Sequence, residues 1–300
     1  MNIVPRLTIY RRVLALGYDY GAQATHRPTE CNLCGTRGAA VEVTRRDRYG
    51  YPATFVVCSC CGLGYLCPRL SATQYTHFYA DVYRPLVSAY HGRRIDAETV
   101  QLEQRGYAAE LAAFLLPLLP SSPHTILDVG GSTGVVSRVL TAGLNARVTV
   151  LDPSPDELAV AHATGMETVA GLVEDFDPDG RKWDLVLLCQ TIDHLLDIRS
   201  TLTALRQMTA AGGHAFIDIV DLDVLLRRTG NIERVVKIDH PYYLTRTTAV
   251  ALFTLTGFAL VAERLSDDGH RGFVLAPGPC AEPDWASLKI SATHFLARVS

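Results

Sequence analysis

The chain predicts an α/β fold: a doubly wound sheet of seven strands, mostly parallel with an antiparallel last strand, preceded by a small cysteine-rich module. Three observations predict it. From Thr125 onward, short apolar runs alternate with helical patterns, as a parallel sheet with crossover helices requires. A glycine-rich turn, Asp128-Val129-Gly130-Gly131-Ser132-Thr133-Gly134, separates the first of those runs from its helix. Six of the eight cysteines lie between Cys31 and Cys67, which marks a separate N-terminal unit.

The elements follow in order. After Pro68 the chain turns aromatic and helical (Tyr75, Phe78, Tyr79, Tyr83, Tyr90), and a long helical pattern runs from Asp96 to Leu119 until Pro120 and Pro123 end it. Thr125–Val129 reads as a buried strand, followed by a helix from Gly134 to Ala142. Arg147–Leu151 is a second strand, and Pro155–Thr164 is a helix opened by proline in its first turn. Strands at Glu167–Ala170, Asp184–Cys189 and His214–Ile219 follow, with a helix at Ile198–Thr209. A loop-rich insert extends to Leu244, and a helix covers Thr247–Thr256. Strands Ala259–Glu263 and Gly272–Ala276 flank a short turn and therefore pair antiparallel. The expected segments are 1–68 (N-terminal stretch and cysteine module), 69–120 (helical connector or lid), 121–278 (the sheet domain) and 279–300 (a C-terminal tail).

Composition excludes several classes. The 28 Lys+Arg against 31 Asp+Glu leave a net charge of −3, and the Cys31–Pro68 module sets four arginines against Glu42 and Asp47, so a nucleic-acid partner is not expected. Residues 247–262 carry no charge, but this run of 16 falls short of a membrane span and contains internal threonines and Gly257. Arg6, Arg11 and Arg12 interrupt any apolar export segment, so the expected compartment is the cytoplasm, where cysteines read as thiols or metal ligands before disulfides.

Glycines at the end of a first strand let the backbone turn tightly and bring helix N–H groups close to a ligand. Asp152, with Pro153 beside it, ends the second strand 18 residues past Gly134, where a carboxylate can accept two hydrogen bonds from vicinal ribose hydroxyls. Such a turn can also merely pack a helix onto a strand. Joined to the strand-end acid, it points to a nucleotide-like ligand in a Rossmann-like unit. The spacing is not the G-x-G-x-x-G of a dinucleotide site.

With an acid two positions before Gly130, then Ser132 and Gly134, the turn resembles the first motif of the class I S-adenosylmethionine-dependent methyltransferases. Ser132 stands where that family usually has its middle glycine, and a serine there is expected to keep negative φ. The resemblance covers Thr125–Ala276. It implies S-adenosylmethionine as cofactor, held by Asp128, Gly130, Gly131, Ser132, Gly134, Asp152 and Pro153. It places Val173 and Glu174 beside the adenine, and Cys189 and Gln190 at the end of the fourth strand. The run from Trp183 to Leu195 is similar to the family's fourth-strand motif, and His240-Pro241-Tyr242-Tyr243-Leu244 matches the region after the fifth strand in small-molecule methyltransferases.

Cys31-Asn-Leu-Cys34-Gly35 and Cys58-Ser-Cys60-Cys61-Gly62 are two C-x2-C-G knuckles, joined by a hairpin that turns near Tyr49-Gly50. Such a pair presents four thiolates tetrahedrally, so Cys31, Cys34, Cys58 and Cys61 are the expected ligands of a structural Zn2+ in a zinc-ribbon-like module. A redox pair or plain buried thiols is the alternative. Cys60 and Cys67 are surplus. The module resembles the zinc-binding domain that precedes methyltransferases of sugar and secondary metabolism, including sugar C-methyltransferases. Those carry a long further C-terminal domain, whereas 24 residues follow Ala276 here, so O-, N- and C-methylation all stay open.

A hydroxyl acceptor needs its proton taken. His194, after the fourth strand, is the candidate base; the competing reading is that it caps or packs the next helix. His240 and Tyr242 are expected to overhang the same cleft from the insert, or else to pack a loop. Tyr79 and Tyr83 could lid the cofactor or belong to the core. Arg45, Arg46 and Arg48 form a basic turn, either solvated or meeting an anionic substrate. The expected function is S-adenosylmethionine-dependent methyl transfer to a small-molecule acceptor, a sugar or natural-product intermediate. A nucleic-acid methyltransferase and an inactive cofactor-binding adapter are the rivals.

Overall fold

A computed structural model describes residues 6–299. Its large sheet has seven strands, labelled here in chain order: β1 Thr125–Val129, β2 Arg147–Asp152, β3 Glu167–Ala170, β4 Trp183–Leu188, β5 Thr209–Val220, β6 Phe258–Leu265 and β7 His270–Pro277. Across the sheet the order is β6-β7-β5-β4-β1-β2-β3. The pairs among β1 to β5 are parallel, and β7 is antiparallel to both β5 and β6, as the short turn between the last two strands requires. The strand order reverses at β1/β4, so the carboxyl ends of β1, β2 and β4 open onto one crevice.

Local chemistry explains the helices that flank the sheet. Asp197 caps the helix Ile198–Met208, accepting from Ser200 N at 3.0 Å, and Ile198, Leu202 and Leu205 then recur on one buried face. Asp96 caps the helix Ala97–Leu115, which buries Ala108, Leu111 and Leu115 against the β1 side of the sheet. Central strands are apolar on both faces: Leu185, Val186, Leu187 and Leu188 of β4 are all fully buried.

A second sheet carries the cysteine module. Ala40–Thr44, Phe55–Cys58 and Gly64–Leu66 pair antiparallel in sequence order, and a fourth strand, Tyr242–Tyr243, adds to the edge. The insert before Leu244 is therefore more ordered than its sequence suggests. It contains the helix Leu222–Thr229, capped by Asp221, and then the strand that pairs Tyr242 with Tyr65 and Tyr243 with Gly64. The C-terminal tail is also structured. Its helix Trp285–Val299 buries Leu288, Ala292 and Phe295, and Gly62 of the second knuckle comes so close that a Cβ there would lie 3.5 Å from Ala292. Leu288 shares one core with Cys31, Cys61 and β4, so module and large sheet are packed as one body.

Candidate active site

A cavity of about 550 Å³ opens at the carboxyl ends of β1, β2 and β4. Its first wall is the glycine turn. Gly130 has φ +68, and a Cβ there would strike the Thr191 hydroxyl at 2.4 Å, so only glycine lets the backbone form this floor. Ser132 departs from expectation: its φ is +53, not negative. Two bonds hold it in this left-handed conformation. Its N–H donates to Asp152 Oδ2 at 2.9 Å, and its hydroxyl donates to Glu157. Glu157 in turn accepts from Nε of Arg84 at 2.7 Å, which links the cofactor turn to the connector helix Tyr83–His91.

Of the eleven residues expected at the cofactor, eight line the cavity: Gly130, Ser132, Asp152, Pro153, Val173, Glu174, Cys189 and Gln190. Asp128, Gly131 and Gly134 stand behind it. Asp128 is fully buried and accepts from the Ser137 hydroxyl, and burial pushes its pKa up to about 6. A Cβ on Gly131 would lie 2.6 Å from that carboxyl carbon. These three shape the turn from behind. Asp152 is 7 % exposed, accepts Ser154 N at 2.8 Å as well as Ser132 N, and faces the cavity. Burial, reinforced by Glu157, raises its pKa to about 6 against the pull of those two N–H groups.

The second wall holds the acid–base groups. His194 lies in the turn Ile192–His194 after β4 and lines the cavity. Its Nδ1 is 2.7 Å from the Tyr79 hydroxyl and 3.0 Å from the Asp239 carbonyl, while Tyr79 donates to that same carbonyl at 3.0 Å. A carbonyl oxygen only accepts, so Nδ1 carries the proton and Nε2 keeps its lone pair. Among the described residues no group bonds Nε2.

His240 sits behind His194, with the rings edge to face at 4.6 Å. It is 4 % exposed and absent from the cavity wall. Its Nδ1 is 2.5 Å from Asp193 Oδ2, and its Nε2 is 3.0 Å from Lys237 Nζ. Burial, then the neighbouring Arg48 cation, pulls Lys237 down to about 8, so the amine remains protonated at neutral pH and donates to Nε2. His240 is therefore neutral, consistent with a pKa lowered to about 4 by burial. Although burial opposes it, His240, with Lys237 behind it, holds Asp193 well below the usual carboxylate range.

Tyr242 does not reach the cleft. It is 2 % exposed in the edge strand, its hydroxyl donates to Leu196 O at 3.2 Å, and the Arg69 guanidinium covers its ring at 4.6 Å. Strand alternation turns its side chain under the module. The residues that sequence reasoning missed are Lys237, Asp239, Arg84 and Glu157. The cluster of Lys237, Asp239 and His240 around Ile238, enclosed by Val235-Val236 and Pro241, was the available signal for the first two.

The sulfurs of Cys31, Cys34, Cys58 and Cys61 lie within 4.8 Å of one another, with Cys31–Cys61 at 3.5 Å and Cys34–Cys58 at 3.7 Å. A tetrahedron of Zn–S bonds of about 2.3 Å has edges of about 3.8 Å, whereas a disulfide needs about 2.05 Å. The donor set thus fits zinc, and its four thiolates would leave no open position. Cys60 and Cys67 stay outside it, and the Cys67 sulfur accepts from Arg27 at 3.6 Å.

Comparison with known proteins agrees with this geometry. Residues 100–263 match the family model described as a methyltransferase domain. A ubiquinone biosynthesis O-methyltransferase of Methylobacterium sp. (strain 4-46) is 34% identical over 105 residues, 32% of this chain and 41% of that protein. Its counterpart in Cronobacter sakazakii is 31% identical over 123 residues, 39% of this chain and 48% of that protein. The matched stretch thus spans less than half the length of these curated relatives. Among solved structures, PH0226 protein from Pyrococcus horikoshii OT3 superposes with a TM-score of 0.51 at 19% identity, covering 58% of this chain and 91% of that one. Magnesium protoporphyrin IX methyltransferase from Synechocystis PCC 6803, with bound S-adenosylhomocysteine, gives 0.50 at 13% identity, covering 68% and 98%. These two share the fold. No helix among the described residues is long and apolar enough to cross a membrane.

Proposed function

The chain belongs to this methyltransferase-domain family and is an S-adenosylmethionine-dependent methyltransferase, and from that premise we propose that it methylates a hydroxyl group of a small molecule, with His194 as general base. The observation that carries the proposal is the unbonded Nε2 of His194 on the cavity wall, with Nδ1 fixed by Tyr79 and the Asp239 carbonyl. The cofactor site fits: Gly130 leaves a floor that any Cβ would fill, and Asp152 offers a carboxylate at the end of β2. When bound, S-adenosylmethionine supplies an electrophilic methyl group on a sulfonium.

Asp152 accepts the ribose hydroxyls, and Val173 and Glu174 border the adenine. His194 accepts the acceptor's proton at Nε2 as the oxygen becomes nucleophilic, and Tyr79 keeps the ring in the tautomer that can do so. Asp193, His240 and Lys237 form a bonded row behind it that fixes its position. The cavity volume of about 550 Å³ suits a small acceptor beside the cofactor. A sugar or a natural-product intermediate meets this description. Cys31, Cys34, Cys58 and Cys61 would hold a structural zinc that stiffens the module.

The test is incubation with [methyl-13C]S-adenosylmethionine and a small-molecule extract. An O-methyl product is expected, and His194→Ala should slow its formation by about 10² to 10⁴ while S-adenosylhomocysteine binds as before. Undiminished transfer by His194→Ala would remove the base assignment. A product methylated only at nitrogen or carbon would remove the hydroxyl acceptor.

A further inference from the structure

Past the cofactor residues and His194, the cavity wall continues with Arg48 and Tyr49 of the cysteine module, His91 of the connector and Lys237 of the insert. Arg48 and Lys237 are distant in sequence, but the fold staples their segments together. Arg48 N donates to Val236 O at 2.8 Å. Asp47, fully buried, accepts Gly50 N and Tyr51 N on one oxygen and Ile238 N at 3.1 Å on the other. The turn of the module is thus not a solvated tip at Arg48; it is part of the cavity.

The donors here outnumber their partners. The Arg48 guanidinium lies over the rings of Tyr90 (4.2 Å) and Tyr49 (5.0 Å) and makes one hydrogen bond, Nη2 to the Tyr49 hydroxyl at 3.3 Å. Its Nε is buried and has no hydrogen-bond partner among the described residues. Lys237 spends one of its three N–H groups on His240. The wall's other cationic side chains are consumed: Arg84 pairs with Glu157 and Arg93 with Glu103. The acid nearest in chain is Asp239, whose Oδ2 is 3.4 Å from His240 Nε2. Besides burial, Arg48 depresses Lys237 while the nearby Asp239 and Asp193 carboxylates act the other way, so the two cations have counter-charges close by but keep N–H groups with no acceptor.

We propose that Arg48 and Lys237 form a binding site for an anionic oxygen group, a carboxylate or a phosphate, carried by the methyl acceptor. The inference rests on the methyltransferase reading and narrows the acceptor to a hydroxylated acid. An oxyanion has acceptors only and matches the free edge of a guanidinium, while Tyr49, Tyr79 and Tyr83 supply flat walls for its apolar body. The cysteine module thereby contributes directly to acceptor recognition through Arg48.

Calorimetry on the full chain loaded with S-adenosylhomocysteine tests this with three probes of one ring: benzoate, phenyl phosphate and neutral benzyl alcohol. At least one anion should bind about tenfold or more tightly than benzyl alcohol, and which of the two does so separates carboxylate from phosphate. Arg48→Gln should weaken the anion by about 10- to 100-fold and leave benzyl alcohol unchanged, and Lys237→Met should lower the ratio of anion to benzyl alcohol affinity by a similar factor. Arg48→Lys, which keeps the charge without the fork, should recover part of the loss and guards against a folding defect in Arg48→Gln. Equal binding of benzyl alcohol, no binding of either anion, or anion affinity untouched in both variants would overturn the site. Failure of the wild-type chain to bind S-adenosylhomocysteine would instead overturn the methyltransferase reading beneath it.

Discussion

Asp152→Asn isolates the charge that the cofactor site depends on. The carboxylate lies at the end of β2, 7 % exposed, and already accepts Ser132 N at 2.9 Å and Ser154 N at 2.8 Å. The residue lines the cavity. Asparagine keeps the shape but loses the charge and one acceptor oxygen, so one of the two backbone N–H groups meets an amide N–H. A hydrogen bond to a charged group contributes about 1.5–3 kcal/mol, which predicts a loss of roughly 10- to 150-fold in affinity for S-adenosylhomocysteine. The same charge sets a pH dependence. Burial raises the Asp152 pKa to about 6 in the empty site. Ribose hydroxyls donate to the ionised form and favour it, so affinity should rise with pH through about 6 and level off above about 7. Isothermal calorimetry across pH 5 to 8 on both proteins is the assay. The wild type should show the rising limb, and Asp152→Asn should bind weakly and lack it. Unchanged affinity in Asp152→Asn, or the same limb in both proteins, would show that Asp152 does not hold the ribose.

Purified protein should carry one zinc per chain by elemental analysis, and Cys34→Ser should lose it while Cys60→Ser keeps it; the reverse pattern would contradict the ligand set. Ser132→Gly relieves a left-handed serine, about 1 kcal/mol, but forfeits a hydrogen bond to the buried Glu157, about 1.5–3 kcal/mol, and adds unfolded-state freedom. Urea titration should therefore show a net loss of about 1–2 kcal/mol, and a gain would mean that the hydroxyl bond contributes little. Because burial lowers the His240 pKa to about 4, below its unfolded value near 6.5, its contribution to stability is complete above about 6.5 and lost as pH falls toward 4, on the order of 3 kcal/mol. Melting curves from pH 7 down to 4 should show that loss, and His240→Gln should flatten it; an identical slope in the variant would assign acid lability elsewhere.

Much of this architecture is local and therefore readable from the chain. Five of the seven strands, β1, β2, β3, β5 and β7, fall where apolar runs end at glycine, proline or aspartate, and flanking helices start at their own caps, such as Asp96 and Asp197. The four metal-type cysteines are spaced by their turns, and the structure brings those same four together. What escaped the sequence depends on contacts between distant segments. Ser132 tolerates positive φ because Glu157 and Asp152 meet it from the next βα unit. Tyr242 faces away from the cavity because its strand joins the module's sheet, a pairing that no local pattern signals. Arg48 and Lys237 share a wall only after Asp47 has tied their segments together. The C-terminal helix acquires its purpose from the close approach of Ala292 to Gly62.

The claim on which the mechanism turns is the tautomer of His194. Nitrogen-15 NMR of histidine-labelled protein bound to S-adenosylhomocysteine, near pH 8 and assigned with His194→Gln, reads it directly. The expected result is a protonated Nδ1, held by Tyr79 and the Asp239 carbonyl, and an Nε2 with a free lone pair. A proton found on Nε2 with Nδ1 bare would contradict it, since such a ring could not accept the acceptor's proton from the cavity side.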